Sequence, residues 1–249
     1  MNLWSVVFFF SSLAFAPANI PYGTVLPVQL NSSIHFNKAH PGQEISARIM
    51  QDVPLAAGGR IRAGARVIGH ILAVSPATIS QPAEVSLVFD TIAAGKTRIS
   101  ITTNLRALGS MMAVAQAQVP LSGPDRGTPS YWWTTEQIGG QINYHGDGAT
   151  TENGQIVGHS TDGGVLVHPG STAATRCGGE NVENSRLQAF WVFSSNACGL
   201  YDYPDVILQH AGRTPPLGRI VLDSVKGNVN IRAGSGMLLR VIAVPRLWQ

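Results

Sequence analysis

The stretch "AEVSLVFDTIAAGKTRISITTNL", Ala83 to Leu105, decides the fold class. Val85, Leu87 and Phe89 stand at every second position, and after a turn signal at Gly95 the residues Ile99 and Ile101 resume the same spacing. Successive side chains of a strand point to opposite faces, so this period of two describes strands with one face on a core. Working outward, "GTVLPVQLNSSI" (Gly23 to Ile34) sets Val28 and Leu30 between polar neighbours, and "PGQEISARIMQDV" (Pro41 to Val53) puts Ile45, Ala47 and Ile49 on one face. "GGRIRAGARVIGHILAV" (Gly58 to Val74) carries turns at Gly58-Gly59 and Ala63-Gly64. Strands at this spacing, broken by turn residues, predict an antiparallel barrel or sandwich. Only "LRALGSMMAVAQAQ" (Leu105 to Gln118) has helix-forming composition; Gly109 interrupts it, and Met111 and Met112 read as core filling.

The chain of 249 residues is long enough for one large or two small β domains. Pro120, Pro124 and Pro129, with several glycines, break the pattern, and we expect a linker over 120–137. A first barrel domain is then expected over 19–119 and a second β-rich domain over 138–249. In the second half, "GGVLVHPG", "LQAFWVFSS", "DVILQHAG" and "GMLLRVIAV" are strand candidates, with "LQAFWVFSS" (Leu187 to Ser195) central. Lys226-Gly227-Asn228 looks like a hairpin turn, and Thr134 or Thr135 a helix cap. The fold class is mostly β, a small barrel or sandwich followed by a β-rich domain with one disulfide.

The first residues, "MNLWSVVFFFSSLAFAPANIP", fit a secretory signal peptide over 1–18. The apolar run Leu3 to Phe15 is too short to span a bilayer, and Ala16-Pro17-Ala18 supplies a small-x-small cleavage site. The expected location is the periplasm or the extracellular space, with no transmembrane helix in the mature chain. In an oxidising compartment the only two cysteines, Cys177 and Cys198, are expected to bond. Their spacing does not suit a C-x-x-C redox pair, and no third cysteine completes a thiolate metal site. Charged residues make up 12% and the net charge is +3 with the basic residues scattered, which speaks against a nucleic-acid partner.

Four pieces together, "GTVLPVQL", "PGQEISARI", "GGRIRAGARVIGHI" and "AEVSLVFDTI", resemble the C-terminal β-barrel domain of the TrbI-like family of conjugation and type IV secretion proteins. Gly23-Thr24, Pro41-Gly42, Ala63-Gly64-Ala65 and Gly69 carry the likeness; Arg62 stands where proline is usual, and Ala94-Gly95 where Asp-Gly is usual. The resemblance covers about a third of the chain and implies a barrel whose glycines make tight turns. The whole layout resembles uncharacterised secreted bacterial proteins that join such a barrel to a second β domain. That family's apolar antenna segment has no counterpart here.

No residue stands out as catalytic. His145, Asp147, His159, Asp162, His168 and His210 offer metal-ligand chemistry, but they lie on glycine-rich turns where such residues hydrogen-bond locally, so no metal and no cofactor is expected. "GSGM" (Gly234 to Met237) is not a nucleophile elbow, and no phosphate-binding glycine motif is present. Tyr131, Trp132 and Trp133, with Tyr201 and Tyr203 beyond the second cysteine, are the candidate ligand-facing aromatics; the two tryptophans alternatively plug the joint between domains. The sequence favours a non-enzymatic structural or interaction role at the envelope or surface, with an envelope protein or polysaccharide as partner. The alternatives are a component of a secretion or conjugation apparatus, and a carbohydrate-active or metal-dependent enzyme. N-terminal sequencing of the exported protein should read from Asn19; an intact Met1 would contradict the leader.

Overall fold

The computed structural model describes residues 20–56, 58–121, 134–144, 148–177, 185–224, 226 and 230–243. The expected leader over 1–18, Tyr131 to Trp133, His145, Asp147 and the Gly227-Asn228 turn lie outside these residues. The fold is mostly β, with 53% strand and 6% helix, as the alternation predicts.

In chain order the first half forms β1 (Val25–Leu30), β2 (Ile34–His35), β3 (Glu44–Ile49), β4 (Val53–Pro54), β5 (Arg60–Ile61) and β6 (Arg66–Ser75). It continues with β7 (Ala83–Ala94), β8 (Thr97–Ser100), β9 (Thr102–Gly109) and the helix α1 (Met111–Ala117). Next come β10 (Thr134–Glu136), β11 (Ile142–Tyr144), β12 (Ala149–Glu152), β13 (Gln155–Thr161), β14 (Gly164–Val167), the helix α2 (Ser171–Arg176) and β15 (Gln188–Trp191). The chain ends with β16 (Gly199–Tyr201), β17 (Val206–Ala211), β18 (Ile220–Ser224), β19 (Asn230–Ile231) and β20 (Gly236–Ala243).

Ten strands form one sheet in the order β16-β9-β20-β1-β3-β6-β7-β18-β17, with β8 on β7. It curls into a half-barrel, and hydrogen bonds reach from β9 across to β7 and to the segment beyond β17. Thr103 Oγ1 donates to the Phe89 carbonyl (2.8 Å), and Arg213, beyond β17, donates to the Leu105 carbonyl (2.9 Å). Pairing in it is antiparallel except for β16 on β9. The second sheet is a meander, β10 to β15 in sequence order. β16, β18, β19 and β20 come from beyond the expected boundary at 120–137 yet pair with strands before it, so strand pairing crosses that boundary. β20 inserts between β1 and β9, with Leu26 opposite Leu239 and Leu238 opposite Ala107.

This insertion explains two departures from simple alternation. β1 and β9 are buried on both faces, because one face lines the half-barrel while Val25, Ala107 and Leu238 pack against the second sheet. A strand covered on both sides reads as a continuous apolar run. For the same reason Leu105 to Gly109 is strand although its composition favours helix: sheet neighbours outweigh propensity. The helix starts only after Ser110, whose side chain accepts from the Ala113 amide as an N-cap. Met112 is 54% exposed and so does not fill the core. Thr134 and Thr135 lie in β10, not at a helix cap, and the strands flanking Lys226 pair with other strands rather than with each other.

Turn glycines of the family-like motif behave as turn chemistry requires: Gly23, Gly42, Gly64 and Gly95 have φ of 84°, 81°, 89° and 61°. Gly69 has another task. It sits at a register shift between β6 and β7, and a Cβ there would lie 2.1 Å from the Val88 carbonyl oxygen and 2.8 Å from the Phe89 ring. Gly69→Ala should therefore cost roughly 1–3 kcal/mol by overpacking. Urea unfolding measures it, and a change within about 0.5 kcal/mol, the range of an ordinary surface substitution, would contradict this account.

Candidate functional site

The residues Gln188 to Cys198 connect the two sheets. β15 is the end strand of the meander by pairing, not its centre, yet Phe190, Trp191, Val192 and Phe193 are all buried. A register shift opposite Val165 and Leu166 accommodates Phe190 as an extra residue, and Trp191 takes a left-handed φ of 53°. A bulge re-aims side chains in this way, and such a backbone in an aromatic residue costs on the order of 1–3 kcal/mol. Its surroundings hold it there. The Trp191 amide donates to Gln51 Oε1 at 2.7 Å, and Gly164 sits opposite, where a Cβ would lie 2.4 Å from Trp191 Cα.

The turn after β15 is fixed from the main sheet. Arg106 on β9 is fully buried; its Nε donates to the Ala197 carbonyl (3.1 Å), its Nη2 to the Ser195 carbonyl (2.7 Å), and its guanidinium lies 5.1 Å from the centroid of the Phe190 ring. The turn in turn holds the loop 137–141. Ile138 donates to the Val192 carbonyl (2.8 Å) and accepts from the Ser194 amide (2.9 Å). Gly139, at φ 105°, passes so close that a Cβ would lie 2.3 Å from Ser194 Oγ.

Four glutamines are buried among the described residues, although this residue type is mostly exposed. Three are clamps. Gln51 joins Trp191 to Thr161 Oγ1 (2.9 Å to the latter); Gln188 accepts from the Val25 amide (2.8 Å); Gln141 donates to Ser195 Oγ (3.1 Å) and accepts from the Ser195 amide (2.5 Å). Gln137, only 4% exposed, differs: neither its Nε2 nor its Oε1 has a hydrogen-bond partner.

Gln137 stands between two clefts. One, of about 380 Å³, is lined by Gln118, Thr135, Asn143, Ser160, Thr161 and Trp191 among others, with no charged side chain among its described lining residues. Ser160 donates to Asn143 Oδ1 on its wall. The other, of about 530 Å³, is more apolar, with Ala113, Val119, Leu121, Ile138 and Tyr201 in its lining. The first cleft is thus polar and uncharged along its described lining, and the unmet Gln137 amide is sealed within its wall. Nothing in the sequence distinguished Gln137 from the clamping glutamines; only the long-range contacts do.

The sequence candidates fall in different places. Tyr201 borders the second cleft and its hydroxyl accepts from the Cys198 amide at 2.9 Å. Tyr203 lines a small separate pocket beside Ser110 and Arg232, its hydroxyl 2.8 Å from Ser235 Oγ. Burial raises the Tyr203 phenol above its ordinary pKa against the lowering effect of that hydrogen bond. Among the described residues the structure does not bring these two tyrosines to one pocket. His159, Asp162 and His168 are exposed, and the His210 ring meets the Arg219 carbonyl (2.6 Å) and Thr214 Oγ1 (3.0 Å) within its own turn. No group of three or more potential metal ligands occurs among the described residues.

Cys177 and Cys198 are bonded, 21 residues apart, with a Cα–Cα distance of 5.8 Å. The bond ties the end of α2 to the turn that Arg106 holds. Among the described residues no helix is long and apolar enough to cross a membrane. No protein-family model matches the chain, and no curated protein matches it in sequence. Replacing both cysteines by alanine should cost about 2–5 kcal/mol, as for other native disulfides. Denaturant titration checks the loss; two free thiols in the unreduced, denatured protein would refute the bond.

Proposed function

We propose that this chain is an exported envelope or surface protein with a binding rather than a catalytic role, and that the cleft beside Gln137 is its binding site. The observation that carries the reading is the cleft itself, about 380 Å³ and lined by Gln118, Thr135, Asn143 and Ser160 with no charged side chain among its described lining residues, a size that suits a small ligand. The disulfide supports export, since such bonds persist in oxidising compartments. A component of a secretion or conjugation apparatus is the second reading; it rests on the TrbI-like motifs of the sequence alone.

The test is retention of the purified mature chain on immobilised envelope polysaccharide and envelope protein, compared with Gln118→Trp. Gln118 is exposed at the cleft, so an indole there fills the opening without touching the core. Wild type should be retained on one of the two and the variant should not. Equal retention of both proteins would contradict the site. Turnover of chromogenic glycosides or esters that Gln118→Trp abolishes would replace the binding role by the enzymatic one.

A further inference from the structure

We infer that the mature chain pairs with a second copy of itself through the far end of β6, edge to edge and antiparallel, independently of the cleft. The starting point is an open strand edge. β7 covers one side of β6 from Arg66 to Ser75, but on the other side β3 reaches only as far as His70. The Ile71 amide donates to the Gln43 carbonyl (2.9 Å) and the Ile71 carbonyl accepts from the Gly42 amide (2.8 Å), which extends that cover by one residue. From Leu72 to Ser75 no hydrogen bond reaches the second side among the described residues. A strand turns its backbone groups alternately to its two sides, so this edge offers N–H and C=O groups to an incoming strand.

Natural edges are usually guarded by charge, above all by lysine. β8, which pairs only with β7, is guarded in this way: Arg98 lies within it and Lys96 just before it. β17, at one end of the sheet, lies beside β16 and β9. The β6 edge has neither protection, for the sequence carries no charged residue from Ile71 to Pro82. The tip of this hairpin arm is a built turn. The Thr78 amide donates to the Gln81 carbonyl (2.9 Å), and Thr78 Oγ1 accepts from the Gln81 amide (3.0 Å). The turn holds Ile79 fully exposed, although Val74, Ala83 and Val85 behind it pack on the core.

An uncharged edge of this kind suits a strand that is itself uncharged, and a second copy supplies one. Antiparallel pairing about a two-fold axis uses the same residues on both sides, and here it brings no like charges face to face. It also lays each tip, with Ile79, toward the Pro41-Gly42 turn of the other copy, since that turn adjoins Ile71. The pair is closed. Gly42 and Gln43 block one end of the edge, and Pro76, which has no N–H, ends it at the other. One short ladder is a small interface, and small interfaces are transient.

Sedimentation equilibrium of the mature chain tests the pairing. The average mass should climb from monomer to dimer, half-complete on the order of 10–100 µM as for a small interface, and go no further. Hydrogen exchange at the Leu72 to Ser75 amides should slow as the dimer forms. Leu72→Lys supplies the missing edge charge at a half-exposed position and should weaken the dimer by roughly tenfold or more. Ile156→Lys adds the same charge at an exposed position of the smaller sheet and should leave the dimer unchanged. Ser75→Lys, also at an exposed position, takes the place of Leu72→Lys if that variant fails to fold. A monomer at every concentration, to about tenfold above that range, overturns the inference. So does a dimer that the edge lysines leave intact, and so does growth beyond the dimer, which a closed pair forbids. A chain that stays monomeric, and whose Leu72 to Ser75 amides are protected only when an envelope protein is added, assigns the edge to a foreign strand and overturns self-pairing.

Discussion

A guanidinium shut off from water joins the two sheets. Arg106 belongs to the ten-stranded sheet, and the carbonyls it holds, those of Ser195 and Ala197, belong to the turn that leaves the six-stranded one. Hydrogen bonds from a charged donor are each worth about 1.5–3 kcal/mol, and a buried guanidinium that lost them would keep its desolvation cost. The turn is therefore pinned, and several other features depend on its position. The loop 137–141 is laid against it through Ile138 and Gly139, α2 is tied to it through Cys198, and Phe190 packs beneath the guanidinium. The placement of Gln137 follows from that of the loop.

Beside the Arg106 guanidinium, the interior between the sheets is bridged by glutamines. Amides donate and accept at once, so Gln51, Gln141 and Gln188 can each bridge backbone or hydroxyl groups across the joint without the desolvation cost of an ion. This agrees with a chain in which only 12% of residues are charged. It also gives the cleft its character. The strained Trp191 backbone, the Gln51 clamp and the close approach of Gly164 set one wall, and the pinned 137–141 loop sets another. Between them lies a cleft of amides and hydroxyls, with the buried Gln137 amide closed off from its opening.

The fold class was legible because it is written in local alternation: Val85, Leu87 and Phe89 are buried in β7 as their spacing requires, and Gly95 turns the chain. The disulfide was legible because two cysteines allow one pairing. The sharing of strands was not. β1 and β20 pair across about two hundred residues, and no local pattern records which distant strand enters a sheet. The burial of both faces of β9 depends on that pairing, so Leu105 to Gly109 carried helix-like composition into a strand. The site was illegible for the same reason. Gln137 and Gln141 are alike in sequence and differ only in what the turn at Ser195 brings to them.

The central claim is that Arg106 and the Gln188 to Cys198 segment make the two sheets one cooperative unit. Native-state hydrogen exchange tests it most directly, because it reports the opening free energy of each region separately. Amides of β13 and β14 in the smaller sheet should exchange with the same opening free energy as those of β1 and β20 in the larger one, and all should rise and fall together with denaturant. A smaller sheet that opens well before the larger one, with Arg106 intact, would contradict the account.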